Sequence, residues 1–355
     1  MNKKNIVILK YSFDILGGTE VVAIKLAKEL SNYHNVHVVS IATSIQDNIY
    51  DLDNIPFYNI FDKKIRVRNA IVSGSKRLRE YVLNNSIDIV FSIGVHSNAI
   101  MLLSTLFTDV KTINCDHMTI HHDYGNKFYA LQRFLGANFS DKSVVLTEEN
   151  KKGYIDKYNI PSSKVEVIYN WIDNIGIQES IDIKSNKIIT VGRLEKVKGY
   201  DLLKLVSQKI YQKHPNWTWD IYGEGKEEIT NDLKALSNIN LKGLVKGVER
   251  IYPGHSIYVM TSYFEGLPLV LLEAKKFGLP IVSFDCPTGP SEIIRDGING
   301  FLVKNYDINE MAEKISCLIE NQDLRKSFSD NAKLDVEKFA KDVVVAKWLE
   351  LIEDL

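Results

Sequence analysis

The chain of 355 residues has 45% hydrophobic and 25% charged residues and a formal net charge of −1 at pH 7. This balance is typical of a soluble globular protein and lacks the basic excess of a nucleic-acid-binding domain, so we expect no nucleic-acid partner. The three cysteines, Cys115, Cys286 and Cys317, lie far apart without metal-ligand spacing, which indicates a reducing compartment. The apolar run Ile6–Leu9 is too short for a signal peptide, and no segment approaches the ~18 apolar residues of a membrane span. We therefore expect a cytoplasmic protein.

Short β-branched segments alternate with amphipathic segments, which predicts βαβ units and parallel sheets. The predicted strands of the first half are Ile6–Leu9, Val36–Ile41, Ile87–Phe91, Lys111–Asn114, Ser143–Leu146 and Val165–Ile168, and its predicted helices are Val21–Leu30, Ala70–Leu83 and Ala99–Phe107. The pattern restarts after Asp173. The predicted strands of the second half are Lys187–Val191, Trp217–Ile221, Ile239–Lys242, Ile257–Met260 and Ile281–Phe284, and its predicted helices are Gly199–Tyr211, Glu227–Leu236 and Leu269–Phe277.

This organisation predicts two Rossmann-like α/β domains, residues 1–173 and 174–335, with the polar segment Asn174–Asn186 at the start of the second. We expect the amphipathic tail, residues 336–355 with Trp348, to form a helix that packs back at the junction with the first domain. Ligands of open parallel sheets bind beyond the carboxyl ends of the strands, and two such edges can face one another across a cleft. The loops that follow the strands are therefore the candidate binding segments.

The first strand leads into Gly17-Gly18-Thr19-Glu20 at the start of a helix. Glycines at such a turn allow backbone N–H groups to approach an anion, although a plain tight turn has the same composition. The segment is neither GxGxxG nor a Walker sequence, which disfavours a hydride-transferring dinucleotide enzyme.

The strand Lys187–Val191 runs directly into a basic loop, in which Arg193 and Lys198 are five residues apart. Two cations placed after a strand and before the next helix can hold the two phosphates of a diphosphate, since Arg offers a bidentate fork and Lys a mobile charge. The alternative is a pair of solvated basic residues on a loop.

The segment Ser262–Ala274 is the most informative in the chain. Glu265 follows a predicted buried strand, and Glu273 lies inside the apolar helix that comes after it. A carboxylate in that position requires a ligand or a partner, and the alternative to a ligand is an ion pair with a buried Lys or Arg. A second glycine-containing loop, Asp285–Ile294, has Pro290 at a helix start, and Asp296–Phe301 returns the chain to a strand.

The second half resembles the nucleotide-sugar-binding domain of retaining family-4 glycosyltransferases of the GT-B fold. The resemblance spans about Ile188 to Val303. Its motifs are Val-Gly-Arg193 with Lys198-Gly, Glu265 and Glu273 at E-x7-E spacing, and the ordered set Gly278-Leu-Pro, Gly289-Pro, Asp296-Gly and Asn299-Gly-Phe-Leu-Val. The Asp285–Pro290 segment resembles bacterial enzymes that transfer galactose, glucose or their N-acetylamino forms onto surface polysaccharides. The first half matches less closely, at Gly17–Glu20, at Asp116-His117 and at the Thr147-Glu148-Glu149 turn.

The resemblance implies a role for each motif. Arg193 and Lys198 would hold the donor diphosphate, with help from the amides of Gly17 and Gly18. Glu265 would contact the hydroxyls of the transferred sugar, Glu273 the ribose hydroxyls. The backbone of Gly266, Leu267, Pro268, Leu269 and Val270 would cap sugar and phosphate, and the base would lie near Tyr222–Gly225 and Lys246–Val248.

His117 resembles the active-site histidine of the family, near the anomeric carbon. Its nearby rivals are His96, His121 and His122. Many relatives have Glu where this chain has Asp116, so acceptor contacts at that position stay open.

The implied activity is transfer of a hexose or N-acetylhexosamine from a UDP-sugar to a glycan, lipid-linked or protein acceptor, with retention of anomeric configuration. We expect no cofactor and no metal, because the cations stabilise the leaving phosphate and we recognise no Asp-x-Asp motif of the usual metal-holding kind. The alternatives are a nucleotide-sugar epimerase or hydrolase of the same architecture, which the E-x7-E motif disfavours, and a non-catalytic partner subunit. Such a subunit is disfavoured because both cations and both glutamates are present.

A basic cluster lies in the first half: Lys63, Lys64, Arg66, Arg68, Lys76, Arg77 and Arg79. One interpretation is a solvated helix face. The other is peripheral contact with an anionic membrane, to which each basic residue contributes about 1 kcal/mol. In the second case, Ile71, Val72, Leu78, Val82 and Leu83 would pack inward and turn the charges outward.

Overall fold

The structure is a computed structural model that describes residues 2–14, 17–43, 52–122, 125–173, 181–245, 250–332 and 335–355. The chain forms two compact units. The first comprises residues Met1–Asn170 and Val344–Leu355, and the second comprises Trp171–Val343. The predicted linker Asn174–Asn186 lies partly outside the described residues. Its remainder joins the second unit, where the amide of Asp182 donates to the Pro253 carbonyl at 2.8 Å.

The first unit is built around a parallel sheet of seven strands, in the order β3-β2-β1-β4-β5-β6-β7. These strands are β1 (Asn5–Lys10), β2 (Asn35–Ser40), β3 (Phe57–Asn59), β4 (Ile89–Ile93), β5 (Lys111–Asp116), β6 (Lys142–Val145) and β7 (Val165–Val167). Its helices are α1 (Gly18–Ser31), α2 (Val67–Asn84), α3 (Asn98–Thr105), α4 (Lys127–Phe139) and α5 (Glu148–Tyr158). The apolar run Ile6–Leu9 is fully buried, as a central parallel strand with both faces covered requires.

The second unit contains a parallel sheet of six strands, in the order β10-β9-β8-β11-β12-β13. These are β8 (Lys187–Val191), β9 (Thr218–Tyr222), β10 (Ile239–Gly243), β11 (Ile257–Met260), β12 (Ile281–Phe284) and β13 (Gly300–Val303). Its helices are α6 (Tyr200–Lys213), α7 (Glu227–Lys234), α8 (Leu269–Lys276), α9 (Pro290–Ile293), α10 (Ile308–Glu320) and α11 (Gln322–Ala332). Trp219 is fully buried in this core, and its indole N–H donates to the Thr190 hydroxyl at 3.0 Å.

The last helix, α12, spans Lys341–Glu353, and its residues from Val344 onward belong to the first unit. There Trp348 packs against Phe91 of β4, with ring centroids 5.7 Å apart. The predicted association of the tail with the first domain is therefore confirmed. Every predicted strand overlaps an observed one, so the prediction of two Rossmann-like parallel sheets is also confirmed.

Each sheet has one point at which the strand order reverses direction. In the first unit β1 lies between β2 and β4, and in the second unit β8 lies between β9 and β11. Ligands of such sheets bind at the carboxyl ends of the strands beside this switch point. The candidate binding loops are therefore those after β1 and β4 in the first unit, and those after β8 and β11 in the second.

Helix α2 carries most of the basic cluster, and its packing differs from the prediction. Leu78 and Val82 are buried, but Val72 is 83% exposed and Leu83 is 54% exposed. The expectation that all five apolar residues pack inward was therefore wrong. A helix of 18 residues that covers one sheet needs only one buried stripe, and positions 72 and 83 fall outside it.

Two arginines of the cluster donate hydrogen bonds to backbone carbonyls of neighbouring loops. Arg77 donates to the Ile60 carbonyl at 2.7 Å, and its guanidinium lies 4.8 Å from the centroid of the Phe61 ring. Arg79 donates to the Leu106 carbonyl at 2.6 Å. Both contacts tie α2 to neighbouring loops. Among the described residues, no helix has the length and hydropathy of a transmembrane segment.

Candidate active site

The loop after β8 carries both predicted diphosphate ligands. It turns through Lys196–Lys198 and ends at Gly199, whose φ of +66° is a left-handed conformation that favours glycine. A Cβ at this position would lie 1.9 Å from the carbonyl oxygen of Thr261. Glycine thus allows the start of α6 to approach the loop after β11, and this close approach brings Lys198 to the end of β11.

Lys198 and Glu265 form an ion pair at this point. The Lys198 Nζ lies 2.7 Å from Glu265 Oε1, and the Ser262 hydroxyl donates to the same oxygen at 2.6 Å. The side chains of Lys198 and Glu265 are 24% and 11% exposed. Burial and the nearby Glu265 carboxylate raise the pKa of Tyr200, whose hydroxyl donates to the Gly192 carbonyl. The structure therefore joins two residues that the sequence assigned to phosphate and to sugar.

Arg193 lies on the same loop and has a different partner. Its Nη1 is 3.1 Å from Glu195 Oε1, and its side chain is 54% exposed. This pair is a surface contact of small energy, so a ligand phosphate can replace Glu195 at low cost.

The backbone from Gly266 to Val270 runs from the loop after β11 into the first two residues of α8. Pro268 is the N-cap of α8, so Leu269 and Val270 present backbone amides at the helix start. Thr288 fixes the loop: its amide donates to the Glu265 carbonyl at 3.0 Å and its hydroxyl to the Gly266 carbonyl at 3.1 Å. Leu267 is buried beneath it.

Glu273 is the fifth of the eight residues of α8, and Tyr252 fixes its carboxylate. The Tyr252 hydroxyl donates to Glu273 Oε2 at 2.9 Å, and the tyrosine ring stacks on Phe277 with centroids 5.2 Å apart. Burial, and secondarily Glu273, raises the pKa of Tyr252 well above its ordinary value, so it remains a donor. The buried Lys275 donates to the Ile293 carbonyl at 2.9 Å.

In the first unit, the last residue of β1 meets the start of α1. Lys10 Nζ lies 3.0 Å from Glu20 Oε1, and it donates to the Thr19 hydroxyl at 3.0 Å. Gly17 is the N-cap of α1, and Gly18 is its first residue. Burial lowers the pKa of Lys10, while Glu20 opposes that shift. Sequence reasoning singled out the glycine turn but missed Lys10, which ends a strand otherwise read as apolar.

His117 follows β5 and lines a pocket of about 370 Å³ together with Lys10, Thr19 and His96. Burial, and secondarily the charge of Lys10, lowers the pKa of His117 to about 4, against the opposing effect of Asp116 and Glu20. The imidazole is therefore neutral near pH 7. A neutral imidazole that lines a pocket can donate or accept a hydrogen bond with a ligand hydroxyl.

The rival histidines separate clearly. His96 lines the same pocket as His117, and its ring lies 5.0 Å from that of Tyr129. His121 is half exposed and pairs with Glu149 at 3.0 Å. The carbonyl of His122 accepts a hydrogen bond from Arg133 at 3.5 Å. The structure thus places two histidines, His96 and His117, at one pocket.

Asp116 forms a buried cluster beneath His117. One carboxylate oxygen accepts from Arg133 Nε at 2.6 Å and from the Tyr154 hydroxyl at 2.5 Å, and the other accepts from the Met118 amide at 3.0 Å. Asp116 is 1% exposed. At this position the side chain holds the loop that presents His117. Arg133 and Tyr154 lie 17 and 38 residues from Asp116 in sequence, so no local pattern predicts that they contact it.

Some predicted features fall elsewhere. The segment Lys246–Val248, predicted to lie near the base, is outside the described residues. Gly223 and Glu224 contact the β8 loop, since the Leu194 amide donates to the Glu224 carbonyl at 2.9 Å.

One Asp-x-Asp triplet does occur, at Asp51-Leu52-Asp53, and Asp53 pairs with Lys28 at 3.1 Å. Within the described ranges no group of three or more His, Cys, Asp or Glu side chains is arranged to hold a metal ion.

The two parallel-sheet units have the architecture of the GT-B fold. The solved structure of HepE from Anabaena in complex with UDP-glucose has the same fold, with a TM-score of 0.84 and 16% sequence identity. The alignment covers 99% of this chain and 100% of that one.

Sequence comparison identifies the family. The profile "Glycosyltransferase Family 4" matches residues 16–174, and "Glycosyl transferases group 1" matches residues 172–335. An uncharacterized glycosyltransferase of Haemophilus influenzae is 30% identical over 94% of this chain and 95% of its own length. The GalNAc-alpha-(1->4)-GalNAc-alpha-(1->3)-diNAcBac-PP-undecaprenol alpha-1,4-N-acetyl-D-galactosaminyltransferase of Campylobacter jejuni is 24% identical, over 98% and 99% of the two chains. The chain belongs to the family-4 glycosyltransferases of the GT-B fold.

Proposed function

We propose that this glycosyltransferase transfers a hexose or N-acetylhexosamine from a UDP-sugar with retention of configuration and without a metal ion. The observation that carries the proposal is the ion pair of Lys198 and Glu265 at the β8–β11 switch point of the second unit, 2.7 Å apart. HepE was solved with UDP-glucose, which supports a UDP-sugar as donor.

The donor roles follow from the positions of the side chains in the second unit. Lys198 and Arg193 bind the diphosphate, and the amides at the start of α8 add further donors. Glu265 accepts from hydroxyls of the sugar, since its carboxylate is anchored by Ser262 at one oxygen. Glu273, fixed by Tyr252, binds the ribose hydroxyls.

The cations take the place of a divalent metal in this scheme. When the bond between the anomeric carbon and the β-phosphate oxygen breaks, negative charge develops on the leaving UDP. Lys198 and Arg193 carry positive charge on the loop proposed to hold these phosphates, so they stabilise that charge electrostatically.

Retention is proposed to proceed by attack from the face that the leaving group departs from, with the phosphate oxygen taking the proton of the acceptor hydroxyl. Glu265 is a poor nucleophile in this arrangement because Lys198 and Ser262 both donate to its Oε1. His117 is a poor base because its pKa is lowered to about 4 by burial and Lys10. We assign it a hydrogen bond to the transferred sugar.

The acceptor is proposed to be a glycan carried on a lipid, a polymer or a protein. The name of the Campylobacter jejuni relative specifies a glycan on undecaprenyl diphosphate, which favours the lipid carrier. We further propose a cytoplasmic enzyme that contacts an anionic membrane through the exposed residues of α2, where Arg68 and Lys76 flank Val72. Basic and apolar side chains together suit the interfacial region of a bilayer.

The test is to incubate the purified protein with a panel of nucleotide sugars and to measure the released nucleotide. Slow hydrolysis of one UDP-sugar identifies base and sugar together. Lys198→Ala and Arg193→Ala are expected to lower this rate by about a hundredfold or more, as for other lost transition-state donors. Lys196→Ala, an exposed lysine of the same loop, is the matched control and is expected to keep the rate. Near-normal turnover in Lys198→Ala would remove the proposed diphosphate role.

A further inference from the structure

A second pocket, of about 470 Å³, opens at the carboxyl end of β1 in the first unit. It shares Lys10, Tyr11 and His96 with the pocket that holds His117, so the two pockets adjoin. One side of its wall comes from the loop that precedes α2 and contributes Lys64 and Arg66. Part of the basic cluster therefore lines a cavity beside the candidate active site.

The loop that carries these two cations is held in place. The Tyr11 hydroxyl donates to the carbonyl of Ile65, which lies between them. Arg77 donates to the Ile60 carbonyl at 2.7 Å, a few residues earlier. These bonds fix the backbone before Lys64 and between the two cations.

Lys64 and Arg66 differ from the other cation of the pocket in their partners. Lys10 is neutralised by Glu20 at 3.0 Å. Within the residues that the structure describes, Lys64 and Arg66 form no ion pair, and both are exposed. The lining also includes Asp14, so three cations face two carboxylates, with both unpaired cations on the α2 side. This side of the pocket is suited to an anionic group.

We propose that Lys64 and Arg66 bind a phosphate group of the acceptor; this rests on the proposed function and specifies its acceptor class. A guanidinium binds two phosphate oxygens at once and a lysine supplies a mobile charge beside it. A neutral sugar would not use either charge. The acceptor is thus a phosphate-bearing carrier, either a polyprenyl diphosphate or a polyol phosphate, whose phosphate lies here while its hydroxyl lies toward His117.

Titration calorimetry of the full chain tests this with two probes, farnesyl diphosphate and a synthetic glycerol phosphate trimer. Farnesol and triglycerol are the phosphate-free controls. Saturating UDP is present throughout, so that the phosphate probes do not bind at the proposed diphosphate site of the second unit. Lys64→Glu with Arg66→Glu is expected to weaken phosphate binding by at least about tenfold, because charge-assisted contacts are lost. The probe that binds identifies the carrier.

The matched control is Arg68→Glu with Lys76→Glu, which makes the same change of net charge at exposed positions outside the pocket lining. It is expected to keep phosphate binding. The proposal is overturned if the wild-type chain binds neither phosphate probe, or if the control weakens binding as much as the pocket variant. Lys64→Ala with Arg66→Ala repeats the test without introducing acidic groups. Donor hydrolysis is measured in a separate assay. Absence of hydrolysis by the wild-type chain would contradict the proposed function. Hydrolysis by the pocket variant at the wild-type rate would show that its donor site is intact.

Discussion

Asp116 shows how a single buried charge can support a site without contacting a ligand. Its carboxylate accepts from Arg133 and Tyr154 in an environment that excludes water, with Arg133 fully buried. Removing one partner of such a pair leaves the other charge uncompensated, and this cost exceeds the net contribution of the pair itself. The cluster therefore fixes the end of β5 and the His117 that follows it.

We predict that Asp116→Asn lowers the free energy of unfolding by about 3–5 kcal/mol, the range seen when a buried ion pair is broken. Denaturant titration measures it. The control is Asp53→Asn, which breaks the exposed pair with Lys28 and is expected to cost no more than about 1 kcal/mol. Equal effects of the two variants would contradict the assignment of Asp116 as a structural anchor.

His117 predicts a pH dependence of stability. Its pKa is lowered to about 4 in the folded chain, mainly by burial, against about 6.5 for an unfolded histidine. As the pH falls below 6.5 the unfolded chain takes up the proton first, so this group lowers stability progressively between pH 6.5 and 4. The full effect is on the order of 3 kcal/mol.

The measurement is the unfolding free energy of the wild-type chain and of His117→Asn at several pH values from 7 to 4.5. The variant is expected to lose less stability over this range. His121→Asn, at a half-exposed position, is the control and should follow the wild-type slope. A slope unchanged in His117→Asn would show that the imidazole already titrates normally in the folded chain.

At the scale of elements, the sequence predicted best what is decided locally. A central parallel strand is buried on both faces, so its apolar run is readable, and every predicted strand overlaps an observed one. Helices α4, α5, α10 and α11 were not predicted, and among them α5 has the weakest apolar period. The signal for α5 was present, since Thr147 is its N-cap and accepts from the Asn150 amide at 3.1 Å. The sequence analysis interprets Thr147-Glu148-Glu149 as a turn.

Helix α2 allows a test of membrane contact. Val72 is 83% exposed beside the exposed basic residues Arg68 and Lys76, which were predicted to face outward. Charges of about 1 kcal/mol each, with partial burial of Val72, give weak and salt-sensitive docking. We predict co-sedimentation with anionic vesicles at low salt, reduced at high salt and in Arg68→Glu with Lys76→Glu. If the chain binds neutral vesicles as strongly as anionic ones, the membrane proposal fails. A soluble or protein-bound acceptor is then the better proposal.

For the whole molecule, the division between what was and was not predictable follows the range of the interactions. Arg193, Lys198 and Glu265 were predicted as site residues from their positions after strands, and Glu273 from its position in an apolar helix. These assignments stay predictions. The partners of the two glutamates, Tyr252 and Ser262, were not assigned, because a hydroxyl that orients a carboxylate has no required spacing. The same holds for Lys10 with Glu20, since one ends a strand and the other lies in a helix.

In the proposed reaction, protein side chains supply the positive charge at the leaving diphosphate. The loop after β8 places Lys198 and Arg193 at the switch point where we expect the donor diphosphate, and the amides that begin α8 lie on the neighbouring loop. Such fixed cations stabilise a leaving diphosphate without a metal ion. We therefore predict that donor hydrolysis by the wild-type chain continues in excess EDTA at a largely unchanged rate, measured as released UDP. Lys198→Ala, assayed in parallel, controls for background hydrolysis, because a metal-catalysed contaminant would not respond to that substitution. A large loss of rate in EDTA that magnesium or manganese restores would show that a divalent ion, and not these two side chains alone, neutralises the leaving phosphate.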